Sequence, residues 1–337
     1  MTAVIAIRRL RMAFGGAQAG VTGWFVDCHI EYQDAIATGI RQVATDPIVN
    51  PGTASHELSS QVCGGCHSVN SNDGDSDDWT PYRAGDDLET DRLMFDYTEE
   101  VREWFATWGG VETNAGANPH AGADAILDRW FWQDGTPRVS GREYSGLRKT
   151  ACFVRGEMSC ISCHRLHPSG LDSAAQTEWA NDLLEPGMQG DKSCLQCHAA
   201  GEFASVKHTR HAADSQGSRC LNCHMPHTTY GLLKAIRSHT VLSPGIRETV
   251  ELGRPNACNL CHLDKSLNWT AERMNEWYGH PIPELSIDES RLAAGALWTL
   301  CGDAGMRALV AWHMGLGAGA GGVGRGLDAA LSGRVVG

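Results

Sequence analysis

Hydrophobic positions along the chain come in short bursts rather than long stripes. After Thr98, a capping residue type, Val101, Trp104, Phe105 and Trp108 recur at helical spacing until Gly109-Gly110. That pattern predicts an amphipathic helix with an aromatic face, which reads as core or as a bed for a flat apolar group. Further helices are predicted from Ala123 to Gln133, stopped by Asp134-Gly135, from Ala174 to Leu184, stopped by Pro186-Gly187, and from Tyr230 to Arg237. Residues 269–279 read as a helix with Thr270 as N-cap, Met274, Trp277 and Tyr278 on one face, and Gly279 beyond the end. Past Pro281 and Pro283 the pattern changes. Leu292 to Leu300 and Met306 to Met314 read as two apolar helices about a Gly302-Asp303 turn, the opening unit of a helical repeat. The Gly-rich last twenty residues read as a frayed tail. Strand signals are few, so the fold class is mainly α with much irregular structure.

Between these elements sit breaks and charged loops. Asn70 to Asp78 is acidic, but it lacks the spacing and terminal Glu of a helix-loop-helix calcium site and reads as a solvated loop. The uncharged run from Ala308 to Gly324 is Gly-rich and contains His313, so no transmembrane span is expected. The start, Met1 to Gly20, has Arg8, Arg9 and Arg11 ahead of a weak apolar stretch, which makes a poor export signal and suggests an incomplete N-terminus. A formal net charge of −12 excludes a nucleic-acid-like surface and suits steering toward a basic partner.

Composition changes the picture most through its 13 cysteines and 15 histidines. Ten of the cysteines fall in five copies of Cys-x-x-Cys-His: Cys63/Cys66/His67, Cys160/Cys163/His164, Cys194/Cys197/His198, Cys220/Cys223/His224 and Cys258/Cys261/His262. At this composition chance supplies about 0.02 such matches over the whole chain. The pattern is the attachment signature of c-type haem: two thiols add to the porphyrin vinyl groups and the next His ligates iron from below. Zinc in a closed tetrahedral site and a redox dithiol are the alternatives, but neither requires His directly after the second Cys. Five haems c are therefore expected, filling a body whose 42% hydrophobic content is low for a conventional core. Cys28-His29 follows Phe25 where a first Cys would stand, so a sixth, singly attached haem is a minor alternative to a degraded site. Cys152 and Cys301, with Cys28, are spaced too irregularly for a disulfide framework.

Each iron takes a sixth ligand or keeps an open position. The ten remaining histidines supply candidates, in the order His211, His208, His239, His167, then His227 and His120. A Met ligand is a lesser alternative, and Met225 is poorly placed for it because it immediately follows a motif His. Arg138, Arg142, Arg148 and Arg155 are candidates for haem propionates or for a solvated face.

The block from Cys160 to His262, with His208-Thr209-Arg210-His211, Cys220 to Pro226, Arg237-Ser238-His239 and Asn256 to His262, resembles the multihaem cytochromes with doubled Cys-x-x-Cys-His motifs. These belong with the pentahaem nitrite reductases, hydroxylamine oxidoreductases and tetrahaem electron carriers. The resemblance runs more weakly through Arg138 to Glu143 and the Cys63 motif. The resemblance implies a haem-packed cytochrome domain over 55–280, preceded by a poorly defined 1–54 and followed by a helical-hairpin remnant and tail over 281–337. It implies one-electron transfer outside the cytoplasm, in the periplasm, between redox proteins such as a membrane quinol oxidase or reductase or a terminal reductase. No Cys-x-x-Cys-Lys marks a catalytic haem of the nitrite reductase kind, and no Tyr is singled out. No catalytic residue is therefore assigned. An enzyme acting on a small nitrogen or sulfur compound at one open haem is the alternative function.

Overall fold

The computed structural model describes residues 6–7, 48–72, 82, 84–107, 121–165, 183–231 and 234–315. Cys28, His29, His120, His167, the helix expected from Ala174, most of the acidic loop and the Gly-rich tail lie outside these residues. The described chain is mainly helical, with short helices and three two-stranded antiparallel pairings. No helix among the described residues is long and apolar enough to cross a membrane.

Helix α1 (His56–His67) starts at Ser55, whose side chain accepts from Leu58 N, and ends on the first motif. Its buried face is small and polar: Ser59, Ser60, Gln61 and Gly64. A short pairing, β1 (Asn70–Asn72) with β2 (Arg92–Met94), leads to α2 (Glu99–Thr107). There Thr98 Oγ1 accepts from Val101 N, as the sequence predicts. The aromatic stripe packs on protein. Val101 and Phe105 are buried with Phe95, Leu127 and Phe131, and Trp104 and Trp130 close over them. Leu127 belongs to α3 (Ala121–Trp130), which stops short of the expected Gln133 because Phe131 bridges Pro137. Gly135 makes the reversal with φ 76°, a left-handed turn position that favours glycine.

A short helix, α4 (Glu143–Leu147), then lies against the first motif. Farther on, α5 (Val206–Thr209) carries His208, and α6 (Cys220–His224) is the fourth motif itself. The helix expected from Tyr230 to Arg237 is instead a hairpin, β3 (His227–Gly231) with β4 (Lys234–Arg237). Thr228, Thr229 and Tyr230 favour extended backbone. Thr229 also donates its hydroxyl to Pro137 O, and Gly231 approaches Ser140 so closely that a Cβ would lie 2.9 Å from its hydroxyl.

Helix α7 (Arg247–Leu252) precedes α8 (Ala257–Cys261), the fifth motif. Helix α9 (Leu267–Tyr278) begins one turn earlier than expected because Ser266 is its cap. Thr270, expected as that cap, is buried and donates to Asn259 Oδ1 at 2.7 Å. Gly279 ends the helix at φ 72°. The last described pair, α10 (Ala294–Cys301) and α11 (Ala304–Gly315), forms the expected apolar hairpin. It shares one core with the motif region: Ala294, Trp298, Met306 and Val310 meet Ile246, Leu260, Leu263, Leu267 and Trp132.

Candidate haem-binding region

Each motif folds as a single helical turn, which is what its spacing requires. The amide of the motif His donates to the first Cys carbonyl at 3.0 Å in His164 and His198 and at 2.8 Å in His262. The first and last motifs close helices α1 and α8, and the fourth is α6. Cys at i and i+3 then share one face, with His beside them at i+4. Residues inside the motifs explain why each turn holds. Gly64 leaves room for the Tyr144 ring, which a Cβ would meet at 2.6 Å. Asn259 is fully buried and sends its amide to the carbonyls of His262, Lys265 and Ser266.

All ten motif cysteines are free thiols, but they are not equally covered. Eight of the ten are half-buried, and Cys66 and Cys197 are exposed. Each is the second cysteine of its motif, and the histidine after it, His67 or His198, is exposed too. Among the described residues neither His67 nor His198 faces a second imidazole; His67 meets Glu143 and His198 meets Phe203. The buried contacts of α1 lie on its other face, at Ser60 and Gly64. The first and third motifs present their second thiol to solvent, whereas both thiols of the second, fourth and fifth are half-buried.

Successive motifs touch in sequence order. Ser60 Oγ accepts from Cys160 N at 3.3 Å, joining the first to the second. Gln196 Nε2 donates to Ser162 O at 3.3 Å, joining the third to the second. Asp191 begins the third-motif turn and accepts from Cys220 N at 2.9 Å, joining it to the fourth. Helices α6 and α8 pack on each other, joining the fourth to the fifth.

Three imidazole pairs face one another across this row. The ring centres of His164 and His239 are 6.2 Å apart, with planes 26° from parallel. His224 and His208 are 6.1 Å apart at 10°, and His262 and His211 are 6.0 Å apart at 25°. Two imidazoles ligating one iron from opposite sides put their ring centres about 6 Å apart, being two metal–nitrogen bonds of roughly 2 Å plus half a ring at each end. The gaps are too wide for direct hydrogen bonds and match a metal between the rings.

Ring orientation fits as well. His211 Nδ1 lies 2.7 Å from Thr209 O, His224 Nδ1 2.8 Å from Leu242 O, and His239 Nδ1 3.2 Å from Arg237 O. A carbonyl only accepts, so Nδ1 carries the proton and leaves the Nε2 lone pair for a ligand. His67 is held likewise, with Nδ1 3.0 Å from a Glu143 carboxylate oxygen. Burial lowers the pKa of His224, His239 and His262, favouring the neutral, ligating form.

The remaining candidates go elsewhere. His227 packs against His313 at 5.5 Å and also meets Trp312, so it joins the seam with α11 rather than a motif ring. His56 sits beside Phe153, its Nε2 3.1 Å from the Phe153 carbonyl. His198 has Phe203 edge-on at 5.2 Å, and Phe203 in turn meets His208. Of the four arginines, Arg138 pairs with Asp303 and lies over the Trp132 ring, Arg148 binds Glu89 at 2.9 Å, and Arg142 donates to Gly141 O. Arg155 is exposed.

Two residues outside the candidate set hold this region together. Arg237 donates from Nη1 to the carbonyls of Leu221 and Met225 and from Nη2 to Asn222 Oδ1, closing the end of the fourth-motif turn. Glu143 holds His67. Both lie in stretches that carry the family resemblance, but neither role is visible without the long-range contacts.

Apolar side chains pack into three clusters, and residues 183–230 contribute only Leu221 to the buried hydrophobic residues described. Burial meanwhile pushes the thiol of Cys223 up to about 11 and those of Cys220 and Cys258 up to about 12. No group of three or more His, Cys, Asp or Glu that could hold a metal ion occurs among the described residues. The donors come in facing twos, an arrangement that suits a metal whose equatorial ligands belong to its own macrocycle. No family model, curated protein or solved structure matches the chain.

Proposed function

We propose that this chain is a multihaem c-type cytochrome that passes electrons one at a time along closely spaced, mostly bis-His centres between redox proteins outside the cytoplasm. The three facing imidazole pairs carry the reading, since their separation and near-parallel planes leave the space that one six-coordinate iron takes. Haem c supplies a ferric/ferrous couple that takes up and releases a single electron. The chain's own part is to hold and orient. The paired cysteines of each motif would anchor the ring, His67, His164, His198, His224 and His262 would ligate its iron, and His239, His208 and His211 would supply a second ligand at three of the centres. Backbone carbonyls hold the proton on Nδ1 of His224, His239 and His211, which keeps those rings turned toward their partners.

The unbroken contact of one motif with the next supports transfer rather than isolated sites. Zinc is disfavoured by the arrangement of the donors, whose imidazoles face one another in twos, while no group of three or more His, Cys, Asp or Glu that could hold a metal ion occurs among the described residues. The second reading is turnover of a small nitrogen or sulfur compound at one centre with an open position. It is restricted to the centres of His67 and His198, because the other three motif histidines each face an imidazole. Those two are also the motifs whose second thiol, Cys66 or Cys197, is exposed.

A mass spectrum of the mature, exported protein tests the proposal. Five covalent haem additions are expected, and a sixth would assign Cys28. Colourless or zinc-loaded material would sink it. Oxidised protein that is wholly low-spin and inert to nitrite, hydroxylamine and cyanide would remove the second reading.

A further inference from the structure

Four imidazoles of the candidate region have an Nδ1 partner in the structure, and they are not alike. His211, His224 and His239 meet neutral carbonyls, whereas His67 meets the Glu143 carboxylate at 3.0 Å. The carboxylate is clamped rather than a free surface charge. Its second oxygen accepts from Gly141 N at 2.9 Å, and its side chain is 26% exposed. Glu143 starts α4, whose Tyr144 ring presses on Gly64 inside the first motif and whose Ser145 hydroxyl accepts from Val69 N. The turn carrying His67 is thus held against the carboxylate from three points. Arg142, one residue away, opposes the carboxylate's influence on His67, but its guanidinium is turned to Gly141 O and acts only at a distance.

A carboxylate accepting from Nδ1–H draws the imidazole toward imidazolate and makes its Nε2 a stronger donor to a metal. A stronger donor stabilises the ferric over the ferrous state. We propose that Glu143 holds the His67 centre at a lower reduction potential than a neutral acceptor would, which marks the first motif as the low-potential end of the row. The step concerned is ferric iron plus one electron from a redox-protein partner giving ferrous iron, with no bond broken and no proton released. An electron delivered at that end then runs downhill toward the three centres that have a histidine resting on a carbonyl, His239, His224 or His211. The inference depends on the haem reading above.

The test uses the haem-loaded full chain and a spectroelectrochemical titration of wild type, Glu143→Gln and Glu89→Gln. Glu89 is a carboxylate on the neighbouring element that binds Arg148 and Tyr144 but no imidazole. The His67 midpoint is expected to rise in Glu143→Gln by about tenfold in its equilibrium constant, about 59 mV for one electron, with a smaller rise at the His239 centre, which the carboxylate also reaches through space, and the other three unmoved. Glu89→Gln should move none. In a His67→Met background, where the ligand has no Nδ1–H to donate, Glu143→Gln should leave the midpoint of that centre unmoved. Should Glu143→Gln fail to yield holoprotein, Glu143→Asp, which keeps the charge but draws it back, should raise the same midpoint by less. No shift, an equal shift of all centres, or the same shift in the His67→Met background would overturn the proposal while the haem count stands. Loss of the haem count in wild type would instead overturn the reading beneath it.

Discussion

His208 and His224 face each other with ring centres 6.1 Å apart and planes only 10° from parallel, although neither can hydrogen-bond to the other at that distance. The proposed occupant of the gap is haem iron, which His224 and His208 would hold. Removing one side leaves a definite signature. His208→Ala should convert one of five irons from low spin to high spin and open it to cyanide, leaving the other four unchanged. His239→Ala and His211→Ala should each do the same to a different centre. Electron paramagnetic resonance of the three oxidised variants checks this. Identical spectra for variant and wild type would rule out that histidine as a ligand.

Gly217 makes the space that the His211 ring occupies, and Gly146 makes room for the backbone at His239 and Thr240. A Cβ on Gly217 would lie 2.1 Å from His211 Cδ2, and one on Gly146 would lie 2.6 Å from the Thr240 hydroxyl and 2.9 Å from its backbone nitrogen, next to His239. Neither glycine has a positive φ, so the requirement is for space and not for backbone freedom. Gly217→Ala and Gly146→Ala should each cost roughly 1–3 kcal/mol by overpacking. Gly217→Ala should also turn the His211 centre partly high-spin, because the ring is the softest thing in its way. Thermal melting gives the first effect and the optical spectrum the second.

What the sequence reveals is what local spacing decides. The five motifs, the Thr98 cap, the Gly279 stop and the α10–α11 hairpin all rest on contacts within a few residues, and pattern alone locates them. The region 227–237 misleads because Leu232, Leu233 and Ile236 can be read as one helical face, while the force that wins is distant. Thr229 and Gly231 dock on residues 137 and 140 and draw the segment into a hairpin. The same holds for ligand pairing. His239 meets a motif His 75 positions earlier and His208 one 16 positions later, separations that carry no periodic signal. Histidine density alone puts His211, His208 and His239 first, but it puts His227 in the same pool, and His227 lies against His313. Nor does spacing separate the covered thiols from Cys66 and Cys197, since all five motifs read alike and only the elements packed around them differ.

Arg237 makes long-range contacts of this kind, and its loss should be expensive. Its guanidinium satisfies the carbonyls of Leu221 and Met225 and the Asn222 side chain, and burial lowers its pKa from the ordinary arginine value. Arg237→Met keeps the stem and removes the donors to Met225 O and Asn222 Oδ1 in a half-buried setting, while Leu221 O keeps the Met225 amide. A loss of about 1–3 kcal/mol is expected for such unpaired groups. Urea unfolding of the holoprotein measures it. A loss within about 0.5 kcal/mol, ordinary for a surface change, would mean that the guanidinium is dispensable to the turn.

The seam between α11 and the β3–β4 hairpin should make stability fall on mild acidification. His227 and His313 pack ring to ring at 5.5 Å, and His313 Nε2 has no hydrogen-bond partner. Burial first, and then the nearby Arg237 guanidinium, hold His227 down to about 3 and His313 down to about 4, against 6.5 for an ordinary histidine. Between pH 6.5 and 4 the unfolded chain therefore binds protons that the folded chain refuses, so stability drops as pH falls through that window. Above it, both states carry neutral rings and the pair adds no slope. His313→Gln removes one titrating group and keeps a polar side chain of similar reach. Its urea midpoint should fall less than that of wild type between about pH 7 and pH 4.5. Haem-ligating histidines also titrate in acid, but they do so in both proteins and cancel in the comparison. Equal falls would place the acid sensitivity elsewhere in the chain and leave the His227–His313 contact as packing alone.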